Sequence, residues 1–207
     1  MRAVFIFVVI LLLIGMAVPI TFATRFWMDG QSVMARAQQG GVLRVPARGP
    51  LTPVERTIAM SEFRGTWKTH GTPCRTLMFI WLDLTTEDAP RGMPVSQRVS
   101  AELLGEQHGT SIRWQIRRLI TACQLEQRFD DAQLLRLWLA TAYFGQDETG
   151  IETASQSIFG KPSRELNAEE CARLAVLLKA PGLRRNPALW AERAQQLRER
   201  LAARRPS

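Results

Sequence analysis

The chain has 207 residues and a formal net charge of +8, from 27 Lys and Arg against 19 Asp and Glu. That length suits one principal domain with a short appendage. Its two histidines exclude a His-rich metal site, and its three cysteines lack metal-type spacing and allow at most one disulfide within the chain.

After Met1 and Arg2, the run from Ala3 to Ala23 carries no charge. At roughly 1.5 Å of rise per residue, a helix of that length crosses a hydrocarbon core of ~30 Å. Pro19 lies near its end, and Trp27 suits an interfacial ring. A cleaved leader is the competing reading, with Thr21-Phe22-Ala23 as the cleavage site. The length favours an uncleaved anchor over residues 1–23. Both readings export the remainder, and because the bulk of the chain follows the span, the anchor reading puts the N-terminus in the cytoplasm and the domain outside. An exported domain does not meet nucleic acid. Anionic lipid headgroups or a diphosphate-bearing substrate suit its arginine-rich charge.

Residues 24–50 carry Gly30, Gly40, Gly41, Pro46 and Pro50 among polar residues and read as a juxtamembrane linker. The domain, residues 51–207, opens on a helix in "LTPVERTIAMSEF". Thr52 caps it, Pro53 takes the first helical position and Glu55 completes the reciprocal box. "TLMFIWLDL", residues 76–84, is a buried apolar element of either type, and "TTEDAPRGMP" is a loop. Helices are expected at roughly 95–104 and 111–128 from the apolar spacing. Asp130 with Gln133 caps the next, whose buried face is Leu134, Leu135, Trp138, Leu139 and Ala142 and which runs to Gly145. Asn167 with Glu170 starts another that ends before "APG", and Pro187 starts a last, arginine-rich helix. The domain is therefore all-α.

The run "YFG" followed by "GIETASQSIFGKPSRELNAEECARLAVLLKAPG" resembles the glycosyltransferase family 51 domain of class A penicillin-binding proteins and monofunctional transglycosylases. The likeness continues through Asn186-Pro187 and Glu192-Arg193 and reaches back weakly to Leu51. It implies a lysozyme-like helical fold behind a transmembrane helix in the bacterial inner membrane, with the domain on the periplasmic side. It also implies a lipid-linked disaccharide-peptide (lipid II) or nascent peptidoglycan as substrate and cell-wall synthesis proteins as partners. The chemistry implied is attack of a sugar hydroxyl on an anomeric carbon, with a carboxylate taking the proton and a lipid diphosphate leaving.

The residues that would carry this chemistry are partly kept. The family's E-D-x-x-F-x-x-H-x-G falls on "SEFRGTWKTHG". Aligned on Gly71, it makes Glu62 the general base, while Phe63, Thr66 and Thr69 replace its companions. The family's G-x-S-T-I-T-Q-Q-L falls on "GMPVSQRVSAELL", which keeps Ser96 and Gln97 and puts Arg98 on the second Gln. That arginine offers a bidentate fork to a phosphate. The family's R-K-x-x-E meets Trp114, Gln115 and, at the acidic position, Arg118. A shifted register recruits Arg117 and Arg118 as the basic pair, with no Glu following. Arg136 and Ala140 stand where the family has Glu and Asn, and Arg193 persists from the last motif. The resemblance thus assigns Glu62 to catalysis and Ser96, Gln97, Arg98, Arg117, Arg118 and Arg193 to the substrate. It admits a divalent metal, Mg or Mn, on the diphosphate, for which the chain itself offers no ligand set. Two outcomes stand: a divergent transferase, or a pseudoenzyme that binds or scaffolds. For each residue taken alone, a solvated helix face is the plain alternative.

Overall fold

The computed structural model describes residues 27–39, 45–63, 93–105 and 111–203, together with Thr21, Thr24 and Arg25. The expected anchor, apart from Thr21, lies outside the described residues, as do the apolar element at 76–84 and most of the loop after it. Among the described residues no helix is long and apolar enough to cross a membrane.

The fold is mostly helical. A first helix, α1, covers residues 27–39 inside the stretch expected to be open linker. It holds its place because Met34 and Val33 are buried and because Gly30 lets it approach a neighbour closely. The glycine marks a helix crossing, where an added Cβ would lie 2.4 Å from Gln124 Oε1.

α2 spans Pro53–Glu62 and starts as the sequence predicts, with Thr52 and Glu55 bonding each other's backbone amides. α3 (Val95–Leu104) and α4 (Ile112–Arg128) follow, and α5 (Asp131–Thr141) begins on the Asp130–Gln133 box. α5 ends short of the expected Gly145. Tyr143–Gly145 and Glu148–Thr149 form an antiparallel hairpin, β1 and β2, turned by Gln146 and Asp147 at φ of 52° and 62°. Both turn residues sit in the left-handed region that a two-residue hairpin turn requires. α6 is Ile151–Phe159, α7 is Ala168–Lys179 from the Asn167–Glu170 box, and α8 is Pro187–Ala202. Short 3₁₀ turns at Ser163–Glu165 and Pro181–Arg185 lead into α7 and α8.

α7 is the central helix, packed against α2 on one side and α8 on the other, while α3 lies across α4 and α5. One core joins both groups. It includes Ile58 and Phe63 of the α2 segment, Leu134, Leu135 and Leu139 of α5, and Leu174 and Leu177 of α7. The Phe63 ring meets Trp138 edge to face, with centroids 5.1 Å apart. Burying side chains of this size stabilises a fold by ~1.5–3 kcal/mol each, so the end of α2 is held firmly where it enters the core. Cys171 is a buried free thiol pushed up to about 11 by burial and by the charge of Glu170, whereas Cys123 is disulfide-bonded.

Candidate active site at the end of α2

Glu62 is the last residue of α2, and Phe63 caps it. Because Phe63 is locked into the core, the Glu62 side chain is brought inward and is only 4% exposed. A buried carboxylate requires charge compensation. Two cations from distant helices supply it. Arg98 of α3 places Nη2 3.8 Å from Oε2, and Lys179, at the end of α7, places Nζ 3.2 Å from Oε1.

The two cations differ. The Arg98 guanidinium lies over both the Phe63 and Trp138 rings, 5.2 Å from each centroid. Packing therefore fixes its position, and the ring faces add attraction of their own. Lys179 is 63% exposed and donates a hydrogen bond to the Ser61 carbonyl at 3.4 Å. That carbonyl belongs to the last turn of α2, where unpaired oxygens and the helix dipole favour a cation. Since the ammonium donates there, Glu62 Oε1 stays buried without an aligned hydrogen bond.

On the Lys179 side, Glu62 forms part of the wall of a cavity of about 550 Å³ between α2, α7, the Pro181–Arg185 turn and α8. Arg193 and Arg200 line it from α8, over an apolar floor. The structure thus pairs Glu62 with Arg98 and puts Glu62 and Arg193 on one cavity wall, which Arg98 does not line. Ser96 and Gln97 are turned inward from α3: Ser96 is fully buried and donates to Glu126 Oε1 at 2.5 Å, and Gln97 is 7% exposed. Arg117 and Arg118 are not on the cavity wall. Arg117 pairs with Asp29 of α1 at 3.8 Å, while Arg118 lies 5.1 Å over the Trp114 ring and is lowered from its usual value by burial. Lys179 and Arg200 were not singled out by the sequence. Lys179 lies in the quoted family run with no role assigned to it and Arg200 lies outside the quoted motifs, so only the packing of α7 and α8 against α2 reveals them.

Arg136 is accounted for by geometry. Its Nε and Nη2 donate to Glu55 Oε1 and Oε2 at 2.9 and 3.0 Å, and its other bonds go to the carbonyls of Ala47, Gly49 and Pro50 at 2.6, 3.4 and 2.8 Å. It ties the segment before α2 to α5, at the opposite end of α2 from Glu62.

The neighbourhood does not suit a divalent cation. Both groups paired with Glu62 are themselves cationic, and among the described residues no three His, Cys, Asp or Glu side chains cluster as ligands would.

A family model described as Transglycosylase matches residues 56–204. Penicillin-binding protein 1C of Escherichia coli is 35% identical over 179 residues, covering 85% of this chain and 23% of that protein. Penicillin-binding protein 1A of Aquifex aeolicus is 36% identical over 107 residues, covering 52% of this chain and 14% of that one. A biosynthetic peptidoglycan transglycosylase of Shewanella frigidimarina is 44% identical over 66 residues, covering 32% of this chain and 29% of its own. The chain spans less than a third of the length of each of these relatives. With the match running from α2 to the end of α8 through every helix that frames Glu62, the chain belongs to the transglycosylase family, glycosyltransferase family 51.

Proposed function

We propose that this is a membrane-anchored peptidoglycan glycosyltransferase-like protein that engages lipid II or the nascent glycan strand outside the plasma membrane of a bacterium. The uncharged run from Ala3 to Ala23 supports the anchor, and the relatives named for peptidoglycan biosynthesis support the substrate class. A lysozyme-like helical frame goes with this reading.

The observation that carries it is the buried Glu62 Oε1, an acceptor without an aligned donor at the edge of a cavity lined by cations. An incoming sugar hydroxyl donates to that oxygen. Its oxygen then bonds to the anomeric carbon of the lipid-linked strand, its proton passes to Glu62, and the lipid diphosphate leaves with the electron pair of the broken C–O bond. A positioned general base contributes about 10²–10⁴ in rate. Arg98, paired with Glu62, and Arg193, on the cavity wall, meet the developing phosphate charge.

The second reading is a pseudoenzyme that binds wall precursors or scaffolds the synthesis machinery. It is favoured by Arg136, which replaces a family carboxylate and is wholly engaged in holding the fold. One experiment separates the two. Wild type and Glu62→Gln, both full length in nanodiscs, are given lipid II, and polymer and bound precursor are measured. Polymer from wild type alone, with binding in both, is expected. Binding without polymer in either establishes the pseudoenzyme. Equal polymer from both removes Glu62 from the chemistry, and no binding by either overturns the lipid II reading altogether.

A further inference from the structure

Glu62 stands in an unfavourable place for a carboxylate. It is the last residue of α2, where unpaired carbonyls and the helix dipole already concentrate negative charge. α2 has no basic residue in its last turn, so it brings no cation of its own. The compensation is imported, from Arg98 of α3 on the Oε2 side and from Lys179 on the Oε1 side. Arg193 and Arg200 of α8 also line the cavity whose wall Glu62 and Lys179 share. Lys179 is itself the last residue of α7, so its ammonium serves the ends of two helices and one buried carboxylate. Its tether is weak. The hydrogen bond to the Ser61 carbonyl is 3.4 Å long, and the side chain is mostly exposed. An ammonium on a flexible four-carbon stem shifts readily, whereas a guanidinium stacked over Phe63 and Trp138 does not. Oε1, the oxygen with no aligned donor, is therefore the one whose counter-ion can move aside.

We propose that Lys179 is the positioning residue for proton transfer at Glu62: it holds Oε1 ionised and open to an acceptor hydroxyl, while Arg98 anchors Oε2. This rests on the reading of Glu62 as the proton acceptor. A buried carboxyl deprived of a nearby cation keeps its proton to a higher pH, and a protonated Glu62 takes none from the sugar. Lys179 acts through its charge on Glu62, not through a bond to the substrate.

The test compares full-length wild type, Lys179→Gln and Lys179→Arg in nanodiscs. Glutamine keeps a donor without the charge, and arginine keeps both. Polymer made from lipid II at neutral pH should fall about five- to tenfold in Lys179→Gln, with bound precursor unchanged. That deficit should close as pH is raised, and Lys179→Arg should stay near wild type throughout. A second readout needs no turnover. The carbon-13 signal of the Glu62 carboxyl, identified by its loss in Glu62→Gln, should titrate at higher pH in Lys179→Gln than in wild type. Lys179 is exposed, so a circular dichroism spectrum matching wild type is the check on folding. Equal polymer from Lys179→Gln and wild type, a deficit that persists at every pH, or identical carboxyl titrations would each overturn the proposal. With polymer still made by wild type, any of these leaves Glu62 standing as the proton acceptor. No polymer from wild type overturns that reading and the proposal together.

Discussion

Arg136→Ala isolates the ion pair that ties the segment before α2 to α5. The Arg136 and Glu55 side chains are 17% and 12% exposed, and the two hydrogen bonds between them are well formed. Hydrogen bonding to Glu55 raises the Arg136 guanidinium above its usual value, against the lowering effect of burial. Removing one partner of a fully buried pair costs ~3–5 kcal/mol. Here some water reaches both groups, which reduces that figure, while the released Ala47 and Pro50 carbonyls are exposed and regain water for ~0.5–1 kcal/mol each. The sum is about 2–4 kcal/mol. For a chain of this size, ~2–4 °C per kcal/mol makes the loss in melting temperature on the order of 8 °C. The assay is thermal and urea unfolding followed by circular dichroism, on wild type, Arg136→Ala, Glu55→Gln and the double variant. Coupling is the decisive quantity: the double variant should be less damaged than the two single losses added together. An Arg136→Ala loss below ~0.5 kcal/mol, or strict additivity, would show the pair to be a surface contact and the reasoning wrong.

Acid stability follows from two other carboxylates. Burial pushes Glu148 up, but hydrogen bonds from Arg184 and Ser157 and the Arg184 charge outweigh it and hold it below its ordinary value. The hydrogen bond from Lys161 lowers Glu170, with burial opposing and the Asn167 backbone bond and nearby charges adding. A folded value below the unfolded one means stabilisation that is complete above the ordinary carboxylate value of 4.5 and lost as pH falls through the folded value. The melting temperature should thus fall as pH drops below 4.5, and Glu148→Gln with Glu170→Gln should lower the neutral plateau and flatten that acid limb; an unchanged acid slope would contradict the assignment. Gly150 sits at φ +87° ahead of α6, and a Cβ there would lie 2.9 Å from the Ala140 carbonyl oxygen. Gly150→Ala should cost about 1–3 kcal/mol in urea unfolding, and a loss within ~0.5 kcal/mol would mean that the hairpin relaxes freely.

The starts of α2, α5 and α7 were legible in the sequence because a capping box is written within four consecutive residues. Thr52 with Glu55, Asp130 with Gln133 and Asn167 with Glu170 bond only their own turn, so no distant contact decides them. The family was legible for a related reason, since the run from Thr141 to Gly182 keeps the small, turn-forming and apolar residues of its frame in order. Two local readings gave way. Gly30 was read as part of a linker, and it lies in helix α1 against Gln124; α5 was expected to reach Gly145, but pairing with Glu148 and Thr149 drew Tyr143–Gly145 into a hairpin.

The site divides in the same way. Motif register pointed to Glu62 and Arg98, yet nothing in that register announces Lys179 on Glu62, the Ser96 hydroxyl spent on Glu126, or Arg200 beside Arg193. By itself the sequence determined where the capped helices begin and which family they build, because caps, turns and apolar spacing act over a few residues. Only the tertiary structure decided which charges face each other, because Coulomb attraction and burial depend on distances that a chain sets by folding, not by counting.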